Sequence, residues 1–214
     1  MGLIHYVQQN WSNLEAELLD QLVIVAVAML AAGITGVSLG VAAARYGRVR
    51  GPVLGFASVA ITLPSFALFT ALAFYVGLGD LPVEIGLAIY ALLPIVRNTM
   101  VGLQAVDPDI LDAAIGMGMS PSQRLRHVQL PLALPLILAG FRQATVMVVA
   151  IATVGATVGA NDLGQTILSG IRDSNSAEVF AGVIPATVLA LLADRILGFA
   201  QTTLARGTHV GASA

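Results

Sequence analysis

Between Asp20 and Arg45 the chain runs from Gln21 to Ala44 without a single charged residue. A bilayer core about 30 Å thick is crossed by about 20 mostly apolar helical residues, so this run reads as a membrane-crossing helix. The rest of the sequence agrees. Of 214 residues, 57% are hydrophobic and only 10% charged, against roughly 25% charged in soluble domains, which is too little polar surface to cover a globule in water. Several function classes drop out on composition. The absence of cysteine removes disulfides, thiolate nucleophiles, cysteine-ligated zinc and iron–sulfur clusters, and leaves the redox compartment open. The absence of lysine rules out a phosphate-binding loop of the Gly-Lys-Ser/Thr type. A formal net charge of −2, with no basic cluster beyond three arginines, argues against nucleic acid.

Five spans fit, at about residues 21–44, 52–78, 82–106, 132–159 and 179–204, so the expected fold is all-α and polytopic. Pro64 lies in the middle of the second and removes a backbone hydrogen bond, which predicts a bend around Leu63-Pro64-Ser65. The third holds Pro94 and Arg97. Pro131 and Pro135 open the fourth, which carries Arg142, and the fifth has Asp194 and Arg195 toward its end. Basic loop residues are retained in the cytoplasm. Arg45, Arg48 and Arg50 follow the first span, Arg124 and Arg126 the third, and Arg206 the fifth. The alternate segments hold Glu15, Glu17, Asp20, Asp80, Glu84, Asp162, Asp173 and Glu178 against Arg172 alone. The expected topology is that of a multi-pass protein of a bacterial-type inner membrane, N-terminus outside, with a cytoplasmic tail at 207–214. Residues 1–20 lack the basic start and cleavage site of a removable signal. Ile4, Val7, Trp11, Leu14 and Leu18 recur at helical steps, giving either an amphipathic helix on the external interface or a frayed terminus.

Residues 107–131, the long polar stretch on the inner side, carry two helix starts in succession. Asp107 can cap a helix beginning at Pro108, and Ser120 one beginning at Pro121, with Gln123 completing a capping box. Gly116 and Gly118 end the first helix, Gly118 being the better candidate for a left-handed closing position. The pattern predicts a helical hairpin with small Ala113 and Ala114 among the apolar knobs Ile110, Leu111, Ile115 and Met117. Such a helix can enter a groove on another protein, and an ordinary cytoplasmic loop can also fold into a short helical turn.

The sequence Asp112-Ala113-Ala114, three residues, Gly118, nine residues, Val128-Gln129-Leu130-Pro131 resembles the EAA motif of binding-protein-dependent ABC importer permeases. That pattern is Glu-Ala-Ala, three residues, Gly, nine residues, then Ile, any residue, Leu-Pro. Every spacing matches, with Asp112 standing for Glu and Val128 for Ile. Leu63-Pro64-Ser65, the run from Tyr90 to Thr99, Gly116 to Pro121 and the stretch from Leu130 to Gly164 are similar to the permeases of glycine betaine, carnitine and choline importers. The resemblance implies a methionine-importer-like transmembrane fold with a five-helix core. It also implies that Asp112, Ala113, Ala114, Gly118, Met119, Ser120, Val128, Leu130 and Pro131 belong to coupling helices docking on a separate ATP-binding subunit. ATP and magnesium would sit in that subunit, with no cofactor and no catalytic residue in this chain. A second permease chain, identical or homologous, and an external substrate-binding protein complete the expected assembly.

Within the membrane, the polar candidates for a translocation path are Thr62, Pro64 and Ser65 at the second-span break, Asn98 and Thr99, and Thr145, Thr153 and Thr157, which share one face of a regular helix. Helix packing explains the threonines equally well. Arg97 and Arg142 are expected near the cytoplasmic ends of their spans, snorkelling or holding carbonyls, Asp107 or Asp109. Asp194 and Arg195, about 100° apart on a helix, are expected to meet other helices or the interface. Gly36 with Gly40, and Gly155 with Gly159, have the spacing of close helix approach. Phe56, Phe66, Phe69, Phe74 and Tyr75 cluster in the second span, but an aromatic cage for a quaternary ammonium is expected in the external binding protein. His5, His127 and His209 lie too far apart for a shared metal site, His127 falling on the hairpin surface. The external stretch from Ala160 to Glu178 carries Leu163, Ile167, Leu168 and Ile171 at near-helical spacing, interrupted by Gly164 and Gly170. The expected function is the permease subunit of an ABC importer for an osmoprotectant, working by alternating access. The alternatives are an ABC permease for another amino-acid-like solute and an ion-gradient-driven transporter or channel. The second of these calls for midplane ionisable groups and inverted repeats, neither of which stands out here.

Overall fold

The computed structural model describes residues 2–208. Met1 and residues 209–214, His209 and most of the expected tail among them, lie outside the described residues, as does the side chain of Arg206. Every regular element of the described residues is helical: α1 Leu3–Gln9, α2 Trp11–Arg45, α3 Gly47–Thr62, α4 Ser65–Val76, α5 Asp80–Gln104, α6 Pro108–Gly116, α7 Pro121–Arg124, α8 Leu130–Ala152, α9 Gly164–Arg172 and α10 Ser176–Thr208. A π turn, Leu125–Gln129, joins α7 to α8, and a 3-10 turn, Thr153–Val158, extends α8.

Glycine contacts fix the directions of the crossing helices. A Cβ on Gly36 would collide with Ile95 and one on Gly40 with Thr99, so α2 and α5 run parallel with their backbones in close approach. Gly102 meets Ala133 and Gly140 meets Asn98 and the Pro94 carbonyl, so α8 runs antiparallel to α5. Between hydrocarbon-facing helices the hydrophobic drive is absent, and small residues that admit close packing take its place. A parallel α2 and α5 require an intervening return. Its two arms are α3 and α4, bent by 102° at Leu63-Pro64, a sharper break than a kink within one straight span. Pro64 lacks a donor and pushes Leu63 out of the helical region, to ψ 135. The Leu63 carbonyl left over accepts the Tyr90 hydroxyl at 2.7 Å, and Phe69 sits in the notch above Gly86.

The first twenty residues differ from a single amphipathic helix. The Asn10 side chain and backbone N–H both donate to the Tyr6 carbonyl, closing α1, and α2 begins at Trp11, ten residues before the expected span. Leu3, Tyr6 and Val7 fold back onto Leu14, Leu163 and Ala181. At the far end the fourth span begins earlier than expected, running from Pro121 to Val158. Pro131 offers no N–H to the His127 carbonyl and its ring crowds that oxygen, and the helix widens there into the π turn. Gly155 approaches Val83 closely, but Gly159 is not its partner on a helical face: it closes the 3-10 turn at φ +86. Gly164 and Gly170 do not interrupt α9. They are its contact points, a Cβ at Gly164 falling on the Thr153 carbonyl and one at Gly170 on the Val179 amide.

The end of the bundle away from the hairpin is tied by side chains to backbone. Gln21, fully buried, donates to the Val149 carbonyl at 3.3 Å and accepts from the Leu163 amide at 3.2 Å. Asp80 accepts from the Asn161 amide at 3.0 Å, and the Gly79 amide donates to Val158. Asp162 is buried beneath them: Oδ1 accepts from the Gly164 amide at 2.7 Å while Oδ2 has no partner among the described residues. Burial pushes the Asp162 carboxyl up to about 7, against the Gly164 bond, and the Glu17 and Asp80 carboxylates add to the rise.

Two outcomes are expected. Gly140→Leu should cost about 1–3 kcal/mol by forcing α5 and α8 apart, whereas Gly55→Ala, in open space, should be neutral or stabilising; thermal melts of the purified protein compare them. A raised carboxyl favours its neutral form, so its contribution is complete in acid and lost as pH rises through about 7. The melting temperature should therefore fall between about pH 4 and about pH 7, and Asp162→Asn should flatten that fall; an unchanged slope would count against the assignment.

Candidate functional site

The hairpin forms as its caps dictate. Asp107 accepts from the Asp109 amide at 2.9 Å in front of Pro108. Ser120 and Gln123 make the reciprocal capping box in front of Pro121. At the close of α6, Gly118 takes the left-handed conformation with φ +80. Its amide donates to Ile115 at 2.9 Å, and the Met119 amide donates to Ala114 at 3.1 Å, the paired bonds that seal a helix end. Gly116 has no such role.

Burial divides the hairpin residues into two faces. Ala114 is 1% exposed, and Leu111, Val128 and Leu130 are half-buried. Asp112 and Ala113 point outward with Ile110, Ile115 and Met117, the last 69% exposed. Met119 is half-buried, while Ser120, Pro131 and His127 are exposed. An Arg45 Nη2 bond of 2.7 Å to the Pro121 carbonyl ties the hairpin to the end of α2, beside a cleft of about 410 Å³ lined by Tyr46, Leu111, Arg124 and Gln129. The second arm continues through the π turn into α8, so hairpin and crossing helix are one rod.

The polar residues proposed for a path do not converge. Thr62, Thr145, Thr153 and Thr157 each donate to a carbonyl three or four residues earlier on their own helix. Thr145, Thr153 and Thr157 do not share a face, because the chain tightens to 3-10 geometry at Thr153 and four further residues then land about 120° away. Asn98 donates to Pro94 in the α5–α8 seam. Thr99 is fully buried against Gly40, its hydroxyl unpartnered among the described residues. Pro64 is exposed and Ser65 half-buried at the bend.

Arg142 does not snorkel. Its Nε donates to Asp194 Oδ1 and its Nη2 to Oδ2 at 2.7 Å, a two-bond fork between α8 and α10. Sequence reasoning separated these residues because they stand 52 positions apart. Asp194 thus meets another helix, as expected, and not its neighbour Arg195. Arg97 is exposed and makes no ion pair among the described residues. At the opposite end, a polar pocket of about 370 Å³ is lined by Tyr6, Glu17, Thr166, Arg172 and Glu178, and Thr166 donates to Glu17 at 2.6 Å. Burial, then the Glu178 carboxylate, pushes the Tyr6 phenol up to about 12.

Known proteins share this architecture and sequence. The chain is 39% identical over 203 residues to the carnitine transport permease protein OpuCD of Listeria monocytogenes, covering 94% of this chain and 91% of that protein. It is 37% identical to the glycine betaine/carnitine/choline transport system permease protein OpuCD of Bacillus subtilis, covering 93% and 87%. To the osmoprotectant import permease protein OsmW of Salmonella typhimurium it is 39% identical, covering 95% and 97%. The fold superposes on the MetNI methionine ABC transporter in an inward-facing conformation with a TM-score of 0.76 at 22% identity, covering 94% and 98% of the two chains. Residues 36–210 match the model of one family, and the chain belongs to it: the binding-protein-dependent transport system inner membrane components.

Proposed function

We propose that this chain is the membrane-spanning subunit of an importer for a small quaternary ammonium osmolyte such as glycine betaine, carnitine or choline. The observation that carries the reading is the self-capped hairpin, which leaves the apolar Ile110, Ile115 and Met117 exposed along with Asp112 and Ala113. A folded helix that leaves such side chains in water suits a groove in a partner. In this reading the partner is an ATP-binding subunit that holds ATP and magnesium, and the hairpin end is cytoplasmic. Arg45, Arg48, Arg50, Arg124 and Arg126 support that side, and the N-terminus then lies outside with the acidic residues. The osmolyte class rests on the names of the relatives. A second permease chain and an external binding protein complete the assembly, and closure of the ATPase dimer drives α7 and α8 together as a rigid body. The irregular backbone at Pro64 and Ser65 and the buried hydroxyl of Thr99 are the polar points proposed for the path.

The test is ATP-driven uptake of glycine betaine, carnitine and choline by vesicles holding the chain with its ATP-binding subunit and binding protein. Ile110→Asp and Met117→Asp should each reduce uptake at least about tenfold and weaken co-purification of the ATPase, with membrane insertion unchanged. Normal uptake in both variants would contradict the docking assignment. Uptake of an amino acid in place of all three osmolytes would overturn the substrate class and leave the docking intact.

A further inference from the structure

The Arg142–Asp194 fork lies inside the crossing, between two helices long and apolar enough to span a membrane. Gln21 marks one end of the α2 crossing through Val149, and Arg45 marks the other through Pro121. Gly33, against which the Phe141 ring packs, is twelve residues from each. At about 1.5 Å rise per residue Gly33 is about 18 Å from either end, while along its own helix Arg142 is about 10 Å from Val149 and about 31 Å from Pro121, so it lies within the crossing. Exposing a charge to hydrocarbon there is costly, so such groups face protein or water and commonly mark solute pathways.

The fork is closed on itself yet open on one side. The two side chains are 41% and 28% exposed. Two of the five guanidinium N–H donors are used, and Nη1 has no partner among the described residues. Arg195, exposed beside Asp194, gives the group an excess of one positive charge. Gly198, one turn along α10, leaves the guanidinium uncovered: a Cβ there would lie 3.3 Å from the Arg142 Cζ.

We propose that Arg142 and Asp194 form an intramembrane station for a small zwitterion, Arg142 receiving its carboxylate and Asp194 facing its quaternary ammonium. The proposal rests on the importer reading and deepens it. A zwitterion entering the fork replaces one ion pair by two, so no charge is left unpaired at a depth where that is expensive. The carboxylate takes N–H donors of the guanidinium, whereas a quaternary ammonium has no N–H and is held by Coulomb attraction alone. Arg142 therefore separates carboxylate-bearing solutes from choline, and Asp194 serves both.

The test uses the purified assembly without its binding protein, followed by uptake with it. Glycine betaine should raise the melting temperature of the wild type but not of Arg142→Gln, and choline should raise it less and equally in both. Uptake of glycine betaine relative to choline should fall at least about tenfold in Arg142→Gln. Because that variant also opens the α8–α10 fork, Gly198→Val is the second arm: it keeps both ion-pair partners, covers the guanidinium, and should abolish the glycine betaine shift. Equal shifts in the wild type, Arg142→Gln and Gly198→Val, or a loss of uptake equal for both solutes, would make the pair a clamp and overturn the station. A wild-type assembly that moves no quaternary ammonium at all would overturn the importer reading first, and the station with it.

Discussion

Everything in this fold depends on how closely three crossing helices approach. In lipid an apolar side chain gains little by leaving its neighbours, so α2, α5 and α8 are held by contact distance, not by escape from water. Gly36, Gly40, Gly102 and Gly140 set that distance, each with a partner side chain or carbonyl where a Cβ would stand. The flanking elements are attached by other means. The α3–α4 arm is hung on Tyr90 and on Phe69 over Gly86, and α10 packs along α8 with the Arg142–Asp194 fork between them.

The two ends of the bundle are built for different tasks. Away from the hairpin, the buried Gln21 and Asp162 and the half-buried Asp80 bond to the backbone of residues 149–164 and close that end. A buried carboxyl with one unpartnered oxygen is tolerated there because protonation removes its charge before burial becomes prohibitive. At the hairpin end the polar bonds are spent within the hairpin, in its caps and in the Gly118 closure, with Arg45 as a tether to α2. Its outer apolar face is left unused, which suits a contact made and broken with a partner.

Much of this was legible because it is local. The caps at Asp107 and Ser120, the left-handed Gly118, the Pro64 break and the Gly36–Gly40 seam each depend on residues within a few positions of one another, and each stands where the sequence puts it. What was illegible is long-range or depends on helix type. The threonine face assumed 3.6 residues per turn through Thr153, and the turn tightens there. Gly164 and Gly170 read as interruptions because their contacts, Thr153 and Val179, are set by tertiary packing. Gln21 looked like the polar boundary of a span, and its partners lie more than a hundred residues away. No local pattern marks Arg142 for Asp194. The one usable signal was that the fourth span carries Arg142 and the fifth an acidic Asp194, opposite charges that in hydrocarbon are a reason to look for a pair.

That pair and the hairpin lie on the same rod. From Pro121 through the π turn to Val158 the helix is continuous, and Arg142 stands about twenty residues, or about 30 Å, from the start of the hairpin's second arm. In the proposed importer, a push on the hairpin would be carried by α8 to the depth of the proposed station. In that proposal the same stroke would shear α8 against α10, with the fork as a polar link between them. Its geometry is bidentate, which resists sliding until a competing carboxylate takes over the guanidinium. Solute occupancy and helix movement are then linked by one set of hydrogen bonds. An importer needs such a link if ATP-driven motion is to follow cargo, because a ligand shifts a conformational equilibrium only through contacts that differ between its states.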